Sequence, residues 1–130
     1  MSAKNYFIAQ AIISLTFGLV LTFVPELLGK LYLADPSWLN DGAKFIANCF
    51  GTLLISVAVA YWATRNAGVS IGRRALLIVA FLSNLFLAIA TTKAILTNVE
   101  TSAAWGTVIQ TLIFGTWSGL LLMKEKVIES

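Results

Sequence analysis

Five polar side chains interrupt stretches of this sequence that are otherwise apolar, and they are the residues most able to do chemistry there. They are four amides and one lysine, namely Gln10, Asn48, Asn84, Gln110 and Lys93. An amide in an apolar medium needs hydrogen-bond partners. The amides therefore predict either a polar pocket that holds a ligand or hydrogen bonds between helices that fix their register.

Lys93 is the one charge inside a predicted membrane span, and such charges are often functional. It lies near the outer end of its span, where a lysine can extend its ammonium group to the lipid headgroups. Glu100 and Asp41 are its candidate partners in that position. The alternative is that Lys93 contributes to a site for a ligand or a lipid headgroup.

The residue types that catalysis and metal binding need are scarce. The chain has no histidine and one cysteine, Cys49, which excludes imidazole metal ligands, histidine-activated nucleophiles and a disulfide within the chain. A serine paired with Lys93 is the one conceivable nucleophile, and no serine is placed by sequence to meet it. We predict no enzymatic activity, no metal and no cofactor. The cations form no basic stripe, so nucleic acid is not a predicted partner.

The elements that position these residues follow from composition. The chain has 130 residues, of which 58% are hydrophobic and 12% charged, about half the roughly 25% charged share of soluble domains. About 20 apolar residues in a helix cross a hydrocarbon core of about 30 Å, where the backbone must satisfy its own hydrogen bonds. We predict a single transmembrane domain over residues 1–130, an all-α, four-helix up-down bundle with spans at 6–24, 45–64, 75–96 and 103–123. No span contains Asp or Glu, which counts against proton-coupled transport.

The loop between the first two spans is longer than a simple connection requires. Pro25 and Glu26 suit the start of a helix, and the leucines that follow share one helical face with Tyr32. This pattern predicts a short amphipathic helix in the outer interface. The helix is either a lid over the mouth of the bundle or a segment that only fixes the loop to the membrane.

Cations are distributed unequally between the two sides of the predicted bundle. Six lie on the side of both termini and the second loop: Lys4, Arg65, Arg73, Arg74, Lys124 and Lys126. Three lie on the other side: Lys30, Lys44 and Lys93. By the positive-inside rule both termini are predicted to be cytoplasmic, in a multi-pass protein of the bacterial inner membrane.

Each span carries small or polar residues at a spacing of four, which places them on one helical stripe. The rows are Gln10, Ser14, Gly18, Thr22; Asn48, Thr52, Ser56, Ala60; Ala80, Asn84, Ala88, Thr92; and Ala103, Thr107, Thr111, Gly115, Gly119. Such rows let helix backbones approach closely in lipid. We predict that they form the seam of the bundle, in part an interface between subunits. Thr111, Gly115 and Gly119 are the candidate helix-packing or oligomer face.

Two segments resemble a group of small uncharacterised bacterial four-span membrane proteins that are loosely grouped as DoxX-like. The first is Phe23-Val24-Pro25-Glu26-Leu27-Leu28, and the second runs from Ala47 to Arg65 and includes Gly51, Leu53, Leu54, Trp62 and Arg65. The resemblance implies four spans and a loop of this kind after the first. It implies no known activity and assigns no functional residue.

Together these observations predict a non-enzymatic membrane protein that serves as an accessory, scaffolding or assembly component. Its partners would be membrane lipids and either further copies of itself or other membrane subunits. The alternative is a carrier, channel or binder for a lipid or other hydrophobic small molecule, using an outer-side polar pocket. A cavity that touches Asn48, Asn84 and Gln110 favours the alternative, and a dry, tightly packed seam favours the scaffold.

Overall fold

A computed structural model describes residues 2–125 of the chain, and they form an all-α fold as predicted. The helices are α1 (Ala3–Phe23), α2 (Pro25–Tyr32), α3 (Asp41–Thr64), α4 (Ile71–Leu96) and α5 (Trp105–Lys124). Short 3₁₀ turns at Pro36–Trp38 and Ser102–Ala104 precede α3 and α5. Four helical segments are long and apolar enough to cross a membrane, so this is a multi-pass membrane protein. The short helix predicted after the first span is α2.

The spanning helices do not begin where the apolar stretches begin. α3 starts at Asp41 and α4 at Ile71, each four residues before the predicted span, and α1 starts at Ala3. Side-chain caps explain the earlier starts: Asn40 Oδ1 accepts from the amide of Ala43 at 2.9 Å, and Ser70 Oγ accepts from the amide of Arg73 at 3.2 Å. A cap of this kind stabilises a helix by about 1 kcal/mol, and hydropathy does not register it.

The four long helices pack as two close pairs, α1 with α3 and α4 with α5. In the first pair the backbones touch, because a Cβ on Gly51 would lie 2.7 Å from the carbonyl oxygen of Gly18. In the second pair a Cβ on Gly115 would meet Asn84 Cβ at 3.4 Å, and one on Gly119 would meet the Phe81 ring at 3.3 Å. The glycine row of the fourth span therefore packs against α4 of the same chain.

The predicted row of the second span is wrong in part. Thr52 and Ser56 are exposed, and their hydroxyls donate to carbonyl oxygens of their own helix at 2.8 and 3.0 Å. The buried positions of α3 are instead Gly51, Ala58 and Tyr61. The reason is that the contact between Gly18 and Gly51 sets the rotation of α3 about its axis, and this turns the hydroxyl row away from α1.

The two pairs meet at the end of the bundle that carries both described chain ends, which we call the terminal end. An aromatic core closes it, consisting of Tyr6, Phe7, Tyr61, Phe114 and Trp117. Tyr6 and Phe7 are fully buried, and the ring centroids of Tyr6 and Trp117 are 5.2 Å apart in an edge-to-face arrangement. Such aromatic pairs contribute about 0.5–1.5 kcal/mol beyond the area they bury.

Arginines at the terminal end hold the last described residues of the chain. Arg73 forms an ion pair with the carboxylate of Glu125. Arg74 donates to the backbone oxygen of Glu125 and, at 3.4 Å, to that of Leu122. Both arginines, predicted from their charge to set topology, also fasten the end of α5 to the start of α4. Lys126, counted with them above, lies outside the described residues.

The opposite end, which we call the loop end, is covered by α2. The segment after α2 is bonded to the loop between α4 and α5: the amide of Ala34 donates to Val99 O at 3.0 Å, and the amide of Thr101 donates to Tyr32 O at 2.7 Å. Thr101 Oγ1 also donates to Leu31 O at 2.8 Å. We call these three hydrogen bonds the α2 clasp. It joins the first helix pair to the second at the loop end.

Candidate functional site

A cavity of about 650 Å³ lies between the two helix pairs. Tyr61 is its link to the aromatic core at the terminal end. Residues of α2 and the following loop line it at the loop end, namely Pro25, Leu28, Gly29, Tyr32, Leu33 and Leu39. All four long helices contribute to its walls. Because Leu28 and Tyr32 face the cavity while Leu27 and Leu31 are exposed, α2 lies across the bundle with one face inward.

The cavity opens sideways between α3 and α4. Phe50 and Leu53 on α3 and Phe86 on α4 line it, yet they are 44%, 59% and 63% exposed. α3 and α4 make few close backbone contacts with each other. In a bilayer this gap faces lipid, so a molecule dissolved in the membrane can reach the cavity without crossing water.

Three of the four predicted amides meet at the cavity. Gln10 is buried, accepts from Tyr6 Oη and donates to Ser14 Oγ, each at 3.3 Å. Asn84 is buried and donates to Ala80 O of its own helix at 2.8 Å, so it does not bond across helices through that nitrogen. Gln110 is half-buried and is the third amide that lines the cavity.

Asn48 lies apart from this cavity, at the seam between α1 and α3. When its amide is oriented by its neighbours, the nitrogen donates to the carbonyl oxygens of Leu21 and Thr22 at 2.9 and 3.0 Å. These carbonyl groups belong to the last turn of α1, where the helix leaves acceptors unused. Asn48 therefore has the interhelical role that was one of the two alternatives for the amides.

Lys93 is exposed and does not line the cavity. Within residues 2–125 it forms no ion pair, so it meets neither Glu100 nor Asp41. The predicted pairing with Glu100 assumed that α4 continues, but it ends at Leu96. The amides of Asn98 and Val99 fold back on the carbonyl groups of the last turn, and Asn98 takes a φ of 58°. This Schellman-type end reverses the chain.

The reversal brings Glu100 to the cavity, and the sequence did not single out this residue as a site in its own right. Its backbone forms an isolated bridge with Leu33, beside the α2 clasp. One carboxylate oxygen, Oε2, is buried without a hydrogen-bond partner among the described residues. Burial raises the pKa of this carboxyl above its ordinary value. The one sequence signal was Asn98, since asparagine tolerates the left-handed conformation that ends a helix.

Among the described residues, the cavity lining offers an acid and no basic residue. Glu100 is its one acidic residue, and no lysine or arginine of the described chain lines it. Lys44, in the first turn of α3, is paired with Glu26 at 3.3 Å on the surface. Across residues 2–125 no three His, Cys, Asp or Glu side chains come together to hold a metal ion.

A family model for a domain of unknown function, DUF8292, matches residues 8–128. The chain belongs to this family. The match includes the cavity-lining parts of every spanning helix, α2 and Glu100. The chain matches no curated protein and no solved structure. The resemblance to DoxX-like proteins stays a prediction.

In this DUF8292 protein, the arrangement is suited to holding a molecule that is largely apolar. The lining is mostly aliphatic and aromatic, with a few amides and hydroxyls and one carboxylate. Ligand sites typically combine such a lining with a small number of polar groups that fix orientation. Of the three amides at the cavity, Gln10 and Asn84 have bonds that hold their nitrogens in place, which keeps the polar groups fixed.

Proposed function

We propose that this chain is a non-enzymatic membrane protein that binds a lipid or other hydrophobic small molecule between its two helix pairs. The cavity of about 650 Å³ carries the proposal, since ligand sites commonly have volumes of about 300–1,000 Å³. A scaffold was expected to have a dry, closed seam. Here α1 packs closely against α3 and α4 against α5, while a cavity separates the two pairs.

A binder or carrier is favoured over a channel. The aromatic core fills the bundle axis at the terminal end, where Tyr6, Phe7 and Leu77 are fully buried. The opening between α3 and α4 leads to the surrounding lipid. A molecule that enters there can occupy the cavity and leave by the same route, whereas a continuous path through the bundle would need the core to separate.

The proposal is tested by filling the cavity. Leu54→Trp places a larger side chain in the lining, and Val59→Trp, on the exposed side of the same helix, is its matched control. Wild type, L54W and V59W are purified in a mild detergent, and bound small molecules are measured by mass spectrometry per mole of protein. We expect wild type and V59W to retain a hydrophobic molecule and L54W to lose most of it. Equal retention by all three overturns the proposal.

We further propose that the terminal end faces the cytoplasm of a bacterial cell. The cations Arg65, Arg73 and Arg74 at that end support this orientation. In a Cys49→Ser background, single cysteines at Asn66 and at Ser37, both exposed, are labelled with a membrane-impermeant maleimide on intact cells. Labelling at position 37 and protection at position 66 is the expected result. The reverse pattern contradicts the orientation.

One observation favours a second function, an accessory or assembly role. Cys49, Thr52 and Ser56 are exposed on one face of α3, where small polar residues suit contact with another helix in lipid. A second copy or another membrane subunit would cover this face. Oxidative cross-linking of Cys49 in native membranes is expected to give a dimer if a second copy lies there, and Cys49→Ser removes it. A chain that stays monomeric and captures no other subunit contradicts this role.

A further inference from the structure

The unpartnered oxygen of Glu100 is the least explained polar atom at the cavity. Oε2 is buried and accepts no hydrogen bond within residues 2–125, although the carboxyl lines a space large enough for a ligand. A buried acceptor without a donor costs free energy, and more when it carries charge. Native structures seldom leave such a group unsatisfied without a functional reason.

Residues 2–125 supply no cation to this carboxylate. No lysine or arginine of the described part of the chain lines the cavity. On the surrounding elements, Lys44 is paired with Glu26, and Lys30 and Lys93 are exposed. Within the described residues nothing satisfies this carboxyl, so a donor or positive charge for it would come from an occupant of the cavity that the residue lines. The remainder of that occupant must suit the aliphatic and aromatic walls.

We propose that Glu100 is the head-group site of the cavity and that its ligand is a lipophilic amine. The protonated amine donates to the Glu100 carboxylate near the loop end, and the apolar part of the ligand extends between the helix pairs toward Asn84. This inference rests on the binding function proposed above and specifies its ligand class. The gap between α3 and α4 admits the apolar part from the membrane, and the α2 clasp holds Glu100 in place beside Leu33.

Charge-assisted hydrogen bonds are about twice as strong as neutral ones, so ligand charge is the property to vary. The probes are dodecylamine, dodecanol and dodecanoate, which share one chain length. The full chain is placed in phosphatidylcholine nanodiscs, and binding is measured by equilibrium dialysis with empty nanodiscs as background. For wild type we expect dodecylamine to bind at least about tenfold tighter than dodecanol, and dodecanoate to bind weakest.

Two variants locate the effect. Glu100→Gln removes the charge and is expected to reduce the preference for the amine to less than about threefold. Glu26→Gln, an exposed acid at the same end of the bundle, is the matched control and is expected to keep the wild-type order. If E100Q does not fold, the order of the three probes on wild type alone decides the proposal.

The outcomes separate this inference from the function on which it rests. Saturable binding of all three probes with no preference for the amine overturns the role of Glu100 and leaves the hydrophobic binder standing. An amine preference that persists in E100Q also overturns the role of Glu100. Absence of saturable binding for every probe overturns both proposals for these ligands.

Discussion

The carbonyl oxygen of Gly18 faces Gly51 so closely that a Cβ on Gly51 would lie 2.7 Å away. A Cβ there would also lie 2.5 Å from Thr22 Oγ1, so a methyl group has no free space on either side. The distance between α1 and α3 therefore depends on the absence of one side chain. Because Asn48 bonds to the last turn of α1 next to this point, the register of the pair depends on it as well.

We expect Gly51→Ala to destabilise the protein. Overpacking of this kind costs about 1–3 kcal/mol, which exceeds the gain of about 0.5–1 kcal/mol from replacing glycine by alanine in a helix. Gly106→Ala is the control, since Gly106 is helical with nothing within 4 Å of the added Cβ. Thermal unfolding followed by circular dichroism in detergent should show a lower midpoint for G51A and an equal or higher one for G106A. A G51A midpoint at or above that of wild type contradicts the close contact.

We expect Arg73→Ala to be strongly destabilising, because it leaves the carboxylate of Glu125 without its partner in a largely buried position. Breaking one half of a buried ion pair costs about 3–5 kcal/mol. Lys44→Ala breaks the exposed pair with Glu26 and should have little effect, since surface pairs contribute little. Chemical denaturation of both variants in the same detergent measures the difference. Similar stabilities for the two variants would show that the terminal-end contact is not important for stability.

We expect Thr101→Val to loosen the α2 clasp, because it removes the hydrogen bond from Thr101 Oγ1 to Leu31 O. If the free energy that opposes opening of the clasp falls by about 1 kcal/mol, the amides that the clasp protects exchange about fivefold faster. Thr97→Val is the control, since its hydroxyl bonds to Lys93 O within its own turn. Hydrogen–deuterium exchange over residues 29–34 should rise in T101V and stay unchanged in T97V. Equal exchange in the two variants would refute the clasp.

We expect Glu100→Gln to raise stability at neutral pH in the ligand-free protein. Desolvation raises the pKa of Glu100, so the folded state binds this proton more tightly than the unfolded state does. Stability is then lost as pH rises from the unfolded pKa through the folded pKa. The advantage of E100Q should be present at pH 7 and disappear at pH 4, as measured by the unfolding midpoint. An E100Q midpoint below wild type at pH 7 contradicts the prediction.

In the same experiment, Glu26→Gln is expected to change stability at neutral pH in the opposite direction. A backbone hydrogen bond, followed by the contact with Lys44, lowers the pKa of Glu26. Its contribution to stability is present above the unfolded pKa and is lost as pH falls through the folded pKa. E26Q should therefore be no more stable than wild type at pH 7, which separates a specific effect of Glu100 from a general effect of removing negative charge.

Hydropathy and loop composition were sufficient to predict the four spans and the short helix α2. The first and third small-residue rows were also placed correctly, because Ser14, Gly18 and Ala88 are buried where a spacing of four puts them. The second row is wrong in part, because Thr52 and Ser56 are exposed. A contact between two glycine backbones is decided by the pair of helices together, and neither Gly18 nor Gly51 shows its partner in the sequence.

The candidate site was predictable only in part. Asn84 and Gln110 stood out because amides are costly in an apolar stretch. Glu100 did not, since a carboxylate in a loop is ordinary. Its position depends on where α4 ends and on how Asn98 turns the chain, and a shift of one or two residues in that end would point the carboxyl elsewhere. The pairing of Lys93 with Glu100 depended on the same helix end, because it required α4 to continue beyond Leu96.

The separation of the fold into two helix pairs has a consequence for how a bound molecule is exchanged. Each pair keeps its own glycine contacts if one pair tilts against the other, with the rings of Tyr6 and Trp117 acting as the pivot. At the far end such a tilt would break the clasp bonds of Ala34 and Thr101, which join the two pairs there. Such a tilt costs a few hydrogen bonds of about 1 kcal/mol each and leaves the helices intact, so a bound molecule would exchange without unfolding of any helix.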